Sequence, residues 1–195
     1  MSEKETMLSG QLYDPNDEEL IRLRQKAHRL CLEYNETPET DGEKRFRIIH
    51  ELIPDQGEDV NLQGPIQIDY GCFTRIGDRS YANFNLVILD TCPVTIGNDV
   101  FMGPNVSILT PLHPLQWKER NAYRREDGVL TDREYGKTIT IEDNCWLGGN
   151  VTICGGVTVG HGSVIGAGSV VTRDIPPNSL AFGNPCRVVR KIDND

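Results

Sequence analysis

The apolar positions of this chain keep two different periods. Leu20, Leu23, Ala27, Leu30, Cys31 and Tyr34 recur every three or four residues, the spacing that puts side chains on one face of an α-helix. Asn16 with Glu19 reads as a capping box at the start of that helix, and Asn35 to Pro38 reads as its stop. A second set, Phe46, Ile49, Leu52 and Ile53, predicts a shorter helix that Thr40 and Glu43 open and Pro54 ends. Residues 1–60 are therefore expected to form a helical head. From about Tyr70 the period becomes six. Tyr70, Ile76, Ala82 and Ile88 are followed, after two extra residues in "LDTCPV", by Ile96, Met102 and Ile108. Later the register runs unbroken through Ile141, Leu147, Ile153, Val159, Ile165 and Val171. A strict six cannot be a helix face. Short strands joined by turns explain it, each unit sending one aliphatic side chain inward while glycine or asparagine permits the turn. Stacked coils of such units bury a continuous apolar column, which is the logic of a β-solenoid.

Composition narrows the setting. The chain has 195 residues, 37% of them hydrophobic and 25% charged, with a formal net charge of −9. An acidic balance argues against nucleic acid as a partner. The charged start "MSEKETML" lacks the apolar core of a signal peptide, and no stretch approaches the length of a membrane span. The six cysteines are scattered without a CxxC pair, so they read as reduced thiols of a cytoplasmic protein.

The hexads, with "MLSGQLYDPNDEEL", "YANFN", "HPL", "EYGK", "ITIEDNCWLGG" and "GNPCRVVRKI", resemble the hexapeptide-repeat acyltransferases. Within them they are most similar to the maltose and galactoside O-acetyltransferase branch. The resemblance spans nearly the whole chain. It implies a mainly β fold, a left-handed parallel β-helix over residues 61–192, with an external loop inserted at 114–137. It implies transfer of an acetyl group from acetyl-CoA to a hydroxyl of a sugar such as maltose, glucose or a galactoside. It also implies a homotrimer with sites between subunits, and no metal.

His113 is one of four histidines. It stands where the repeat stops, at the mouth of a charged insertion, and function often sits where a loop leaves a regular scaffold. A buried structural histidine is the competing reading. Imidazole can take the proton of a weakly acidic hydroxyl near neutral pH, and in the resembled family His113 matches the catalytic base. Asn83 matches a residue that contacts the acceptor and the transition state, with turn chemistry as its alternative. Glu134 matches a carboxylate oriented toward the histidine. Asp69 and Tyr81 match acceptor-side positions, and Asp90 lies near another. On the donor side Trp146 matches a tryptophan lining the cleft, and Gly149 and Ala167 match small residues along the CoA arm. Thr172 and Arg173 open the final hexad on the same donor side, where the family usually has lysine at the second position, and Arg187 and Arg190 match cations near the nucleotide end of CoA.

Other readings stay open on the residues alone. One is a same-fold acyltransferase with a non-sugar acceptor. Another is a zinc enzyme like the γ-type carbonic anhydrases, or a non-catalytic β-helix protein. The zinc reading needs three histidines, yet only His113 and His161 fall in the repeats, with His28 and His50 in the head.

Overall fold

In the computed structural model, which describes residues 1–194, three helices lead into a parallel β-helix. Helix α1 (Glu3–Leu8) was not foreseen from the apolar pattern; Ser2 and Glu5 form its capping box. Helix α2 (Glu18–Glu36) follows the expected face, with Leu20, Ala27, Leu30, Cys31 and Tyr34 buried. Its cap is Asp17 rather than Asn16: the Asp17 carboxylate accepts the N–H groups of Glu19 and Leu20. Helix α3 (Gly42–Leu52) is capped by Asp41 rather than Thr40. Its buried face is Ile48, Ile49 and Leu52, while Phe46 stands 61% exposed.

The three faces of the prism are three parallel sheets. One stacks 55–56, 74–76, 94–96, 139–141 and 158–159. The second stacks 61–62, 81–82, 101–102, 146–147 and 164–165 and ends on 179–183. The third stacks 66–68, 86–89, 107–109, 152–154 and 170–171. Only the closing strand, 186–191, runs antiparallel, against 179–183. Ile76, Ile96, Ile141 and Val159 lie in register, as do Ala82, Met102, Leu147 and Ile165, and Ile88, Ile108, Ile153 and Val171. All of these side chains are buried.

Two expectations shift. Tyr70 does not take a column position; Ile68 does, in register with Ile88 and Ile108. The early coils thus span 20 residues, 68 to 88 and 88 to 108, against 18 from Leu147 to Ile165. The extra pair seen at "LDTCPV" also occurs one coil earlier, where it frees Tyr70 to pack with Met7, Tyr13 and Leu20 under the head. The first coil begins at Asp55, paired with Arg75, so it starts inside the stretch expected to be head. Helix residues Ala27, Leu30, Ile49 and Leu52 and the coil column form one continuous core, so the head closes the open end of the solenoid.

The insertion is more than a loop. Pro111–Leu112 pairs antiparallel with Tyr135–Gly136 at its base. A one-turn helix, α4 (Trp117–Arg120), precedes a small hairpin of Tyr123–Arg124 with Leu130–Thr131. The head reaches this base closely: a Cβ on Gly10 would stand 2.9 Å from the Gly136 carbonyl oxygen.

Candidate active site

His113 follows strand 107–109, and Asp69 follows strand 66–68 of the same face. Both segments therefore leave the prism at the same edge, two coils apart, with the 86–89 strand between them. Glu134 is brought to that edge by an antiparallel bridge with Tyr13: the Tyr13 N–H donates to the Glu134 carbonyl at 3.0 Å, and the Glu134 N–H donates back at 3.4 Å. The Glu134 Oε2 lies 3.8 Å from His113 Nε2, and the Asp132 Oδ2 lies 3.9 Å from Nδ1. These are ion-pair separations, slightly too long for hydrogen bonds. The histidine side chain is 43% exposed and that of Glu134 only 16%. An imidazole open to solvent is thus backed by a carboxylate set into the fold. The buried structural reading of His113 does not hold.

Burial pushes the Glu134 carboxyl above the usual range; the Tyr13 hydroxyl and the charge of His113 oppose that push, and Asp132 and Asp69 add to it. Tyr13 is fully buried, and its hydroxyl donates to Glu134 Oε1. Burial, then the charge of Glu134, raise the Tyr13 phenol far above its ordinary value, so it remains a donor. Asp69 is partly exposed and meets His28 of α2, with 3.3 Å between Oδ1 and Nε2. Arg24 of α2 donates to the Tyr70 hydroxyl at 3.2 Å and to the Pro15 carbonyl at 3.3 Å.

The hairpin of the insertion is latched to the head. The Asp14 carboxylate accepts Arg125 Nη1 at 2.7 Å and Thr131 Oγ1 at 2.5 Å, and Asn16 Nδ2 donates to Thr131 Oγ1 at 3.0 Å. Burial raises the Asp14 carboxyl, but the donors Thr131, Asn16 and Arg125 together carry it below its usual range.

Other expected residues lie elsewhere. Tyr81 lies on the second face, in register with Phe101 and Trp146, and Asn83 follows that strand, its N–H donating to the Met102 carbonyl at 2.9 Å. The Asn83 side-chain oxygen accepts the N–H of Phe84 at 2.7 Å. Turn formation at that corner falls to its neighbour Asn85, at φ 61°, whose amide continues a ladder through Asn105 and Asn150. Trp146 is 56% exposed beside exposed Phe101. Asp90 is a correction. It is 0% exposed; Oδ1 accepts the Tyr70 N–H at 2.8 Å and Oδ2 accepts the Thr74 hydroxyl at 2.9 Å. A ligand has no access to it, because both oxygens hold the backbone turn that carries Tyr70. A cleft of about 1020 Å³ between α3 and the first coil, lined among others by Tyr34, Arg45, Phe46 and His50, contains none of the expected residues. Among the described residues no group of three or more histidine, cysteine, aspartate or glutamate side chains could hold a metal ion. None of the six cysteines is paired, and no helix among those residues is long and apolar enough to cross a membrane.

Residues 6–57 match the maltose acetyltransferase hexapeptide capping motif, and residues 138–173 match the hexapeptide repeat of succinyl-transferase. A Saccharomyces cerevisiae protein described as an acetyltransferase is 44% identical over 189 residues, 96% of this chain and 92% of the relative. The chain belongs to the maltose and galactoside O-acetyltransferase family. The crystal structure of a maltose O-acetyltransferase from Clostridium difficile 630 is 43% identical, with a TM-score of 0.91 over 100% of this chain and 99% of the other. A galactoside acetyltransferase in complex with coenzyme A is 38% identical, with a TM-score of 0.89 over 100% and 92%. A hexapeptide-repeat acetyltransferase of Vibrio cholerae complexed with acetyl coenzyme A is also 38% identical, with a TM-score of 0.85 over the whole of both chains.

In this acetyltransferase the expected donor-side positions follow the late coils. Ala167, Thr172, Arg173, Arg187 and Arg190 are exposed. Arg187 and Arg190 donate to the carbonyls of Cys186 and Lys191. A Cβ on Gly149 would stand 3.3 Å from Pro104, so coil stacking alone already favours a small residue there. Sequence reasoning missed Tyr13, Asp132 and His28 at the site. Asp132 carried a signal: in an extended segment it shares a side with Glu134, two residues on. Tyr13 lies within the stretch "MLSGQLYDPNDEEL" that carries the family resemblance, but nothing there marks its partner, 121 residues away.

Proposed function

We propose that this acetyltransferase moves an acetyl group from acetyl-CoA directly to a hydroxyl of a sugar, with His113 as general base. The observation that carries the proposal is the exposed imidazole backed by a largely buried Glu134 at 3.8 Å. One imidazole nitrogen takes the proton of the acceptor hydroxyl as its oxygen attacks the thioester carbonyl. The other nitrogen carries the N–H, and Glu134, 3.8 Å from Nε2, stabilises the imidazolium as it forms. Collapse of the tetrahedral intermediate breaks the C–S bond, and the imidazolium returns the proton to the leaving thiolate. No step passes through a metal.

Acetyl-CoA is supported as donor by the relatives whose structures hold coenzyme A or acetyl coenzyme A. Trp146, Gly149 and Ala167 would flank its arm, with Thr172, Arg173, Arg187 and Arg190 toward the phosphates, where arginine offers paired donors. Asp69 and Tyr81 are assigned to the acceptor. Asn83, whose amide donors are free of protein partners among the described residues, is assigned to the acceptor and the developing oxyanion.

His113 and Asp69 leave one face of the prism, whereas Tyr81, Asn83 and Trp146 belong to another. A second copy presenting its second face to the His113 edge would unite the two sets. This is the reason to propose a homotrimer with sites between subunits. In domain terms, residues 61–192 would supply the catalytic β-helix and residues 1–60 the head that closes it.

The acceptor is tested by incubating the purified protein with acetyl-CoA and a panel of maltose, glucose and galactosides, following free-thiol release. Acetyl transfer to at least one sugar is expected. Release with amines alone, and with none of the sugars, would contradict a sugar acceptor.

A further inference from the structure

We infer that Tyr13 is a positioning residue of the reaction: its hydroxyl fixes the Glu134 carboxylate that orients and charges against His113. The inference rests on the reading of His113 as base. Tyr13 belongs to the head, far from the catalytic histidine in sequence, yet it is bound to Glu134 twice. Its backbone pairs with that of Glu134 in both directions, at 3.0 and 3.4 Å. Its hydroxyl donates to Oε1, leaving Oε2 as the oxygen 3.8 Å from the imidazole. The ring is fully buried among Met7, Leu20 and Tyr70. A packing role alone needs no hydroxyl there, and a buried phenol with an apolar surround is costly unless its O–H finds an acceptor. Glu134 is that acceptor.

The geometry divides the work between the two carboxylate oxygens. A glutamate has three side-chain torsions, and one anchored oxygen removes most of that freedom without occupying the oxygen that faces the histidine. The carboxylate is thereby aimed before the acceptor arrives, which is the form of preorganisation that lowers a barrier.

The electrostatics give a test that packing cannot imitate. The groups facing Glu134 are Tyr13 from the head, His113 at the coil exit, Asp132 on its own segment and Asp69 two coils away on the same face. Tyr70, hydrogen-bonded to Arg24 of α2, stands behind Tyr13. Of these, the Tyr13 hydroxyl and the imidazolium hold the carboxylate ionised, and the two aspartates work against it. Removing the hydroxyl makes the carboxylate more basic. The active form carries an ionised Glu134 beside an unprotonated base. A more basic carboxylate raises the pH at which that form is reached. Neutralising the glutamate does the reverse, because the imidazolium loses its counter-charge.

The experiment is the pH profile of kcat/KM for Tyr13→Phe, Glu134→Gln and the wild-type protein, with acetyl-CoA and the sugar that releases thiol fastest. Thermal melting confirms that each variant is folded. Tyr13→Phe keeps the ring and the backbone pairing. Its kcat is expected to fall about 3- to 10-fold, the worth of one hydrogen bond, with the KM for acetyl-CoA unchanged and the acid limb moved to higher pH. Glu134→Gln is expected to lower the plateau further and to move the acid limb to lower pH. A folded Tyr13→Phe protein with the wild-type kcat and acid limb, beside an impaired Glu134→Gln and an inactive His113→Ala, overturns the role of Tyr13 alone. A fully active His113→Ala overturns the reading beneath it.

Discussion

Two carboxylates near the site do opposite jobs, and burial separates them. Glu134 keeps one oxygen on Tyr13 and the other toward His113. Asp90 spends both oxygens on the turn at Tyr70 and Thr74 and is closed to solvent. Its carboxyl is pushed up to about 6, chiefly by burial, against the hydrogen bonds from Tyr70 and Thr74 that lower it. Between roughly pH 4, the ordinary range of an unfolded aspartate, and about 6, the folded protein holds a proton that the unfolded chain has released. Asp90 therefore favours the fold at acid pH, and that contribution is lost as the pH rises through the folded value. Asp90→Asn removes the titration. Thermal melting should show a wild-type advantage over Asp90→Asn that shrinks between pH 4 and pH 7; an advantage constant across that window contradicts the assignment. At this scale the sequence was a partial guide. His113 could be singled out because the repeat stops beside it, and Glu134 by resemblance. Asp90 was misplaced because an aspartate at a coil corner looks the same whether it faces inward or outward. Tyr13 was invisible because nothing local marks a contact made across the chain.

The elements were more legible than their ends. The column residues repeat at a fixed spacing and each is buried in register with its neighbours, so period alone located them. The period failed at Tyr70, where two extra residues shift the count and no local chemistry says which aliphatic to follow. Helix caps moved by one residue because Asn16 and Asp17, or Thr40 and Asp41, can each accept the same N–H groups. Inside the insertion no apolar period exists, so its hairpin and its latch to Asp14 could not be read. The latch has a measurable consequence. The Asp14 carboxyl lies below its usual range despite burial, held there by Thr131, Asn16 and Arg125. Its contribution is therefore present above the unfolded value and lost as the pH falls through the folded one. Asp14→Ala should free the hairpin, speeding tryptic cleavage at Arg124 and Arg125. It should also raise the KM for the acceptor roughly threefold or more, with the coils still folded. Unchanged cleavage would show that the hairpin is held by other means.

At the scale of the molecule the head, the coils and the insertion meet at one edge. The coils place His113 and Asp69 there, the insertion delivers Asp132 and Glu134, and the head supplies Tyr13 and His28. The second face carries Tyr81, Asn83 and Trp146 away from that edge, which is the ground for proposing that a neighbouring copy completes the site. Fold and family follow from repeat and motif together; how the head reaches Glu134 and Asp69 emerges only from the three-dimensional contacts. The central claim is that His113 is the base. It is tested most directly by the rate of thiol release from acetyl-CoA, with a saturating sugar acceptor, by His113→Ala whose melting and subunit mass match the wild type. The account predicts a loss of about 10²–10⁴-fold, the usual worth of general-base catalysis. A correctly folded and assembled His113→Ala protein that transfers acetyl at the wild-type rate would contradict it.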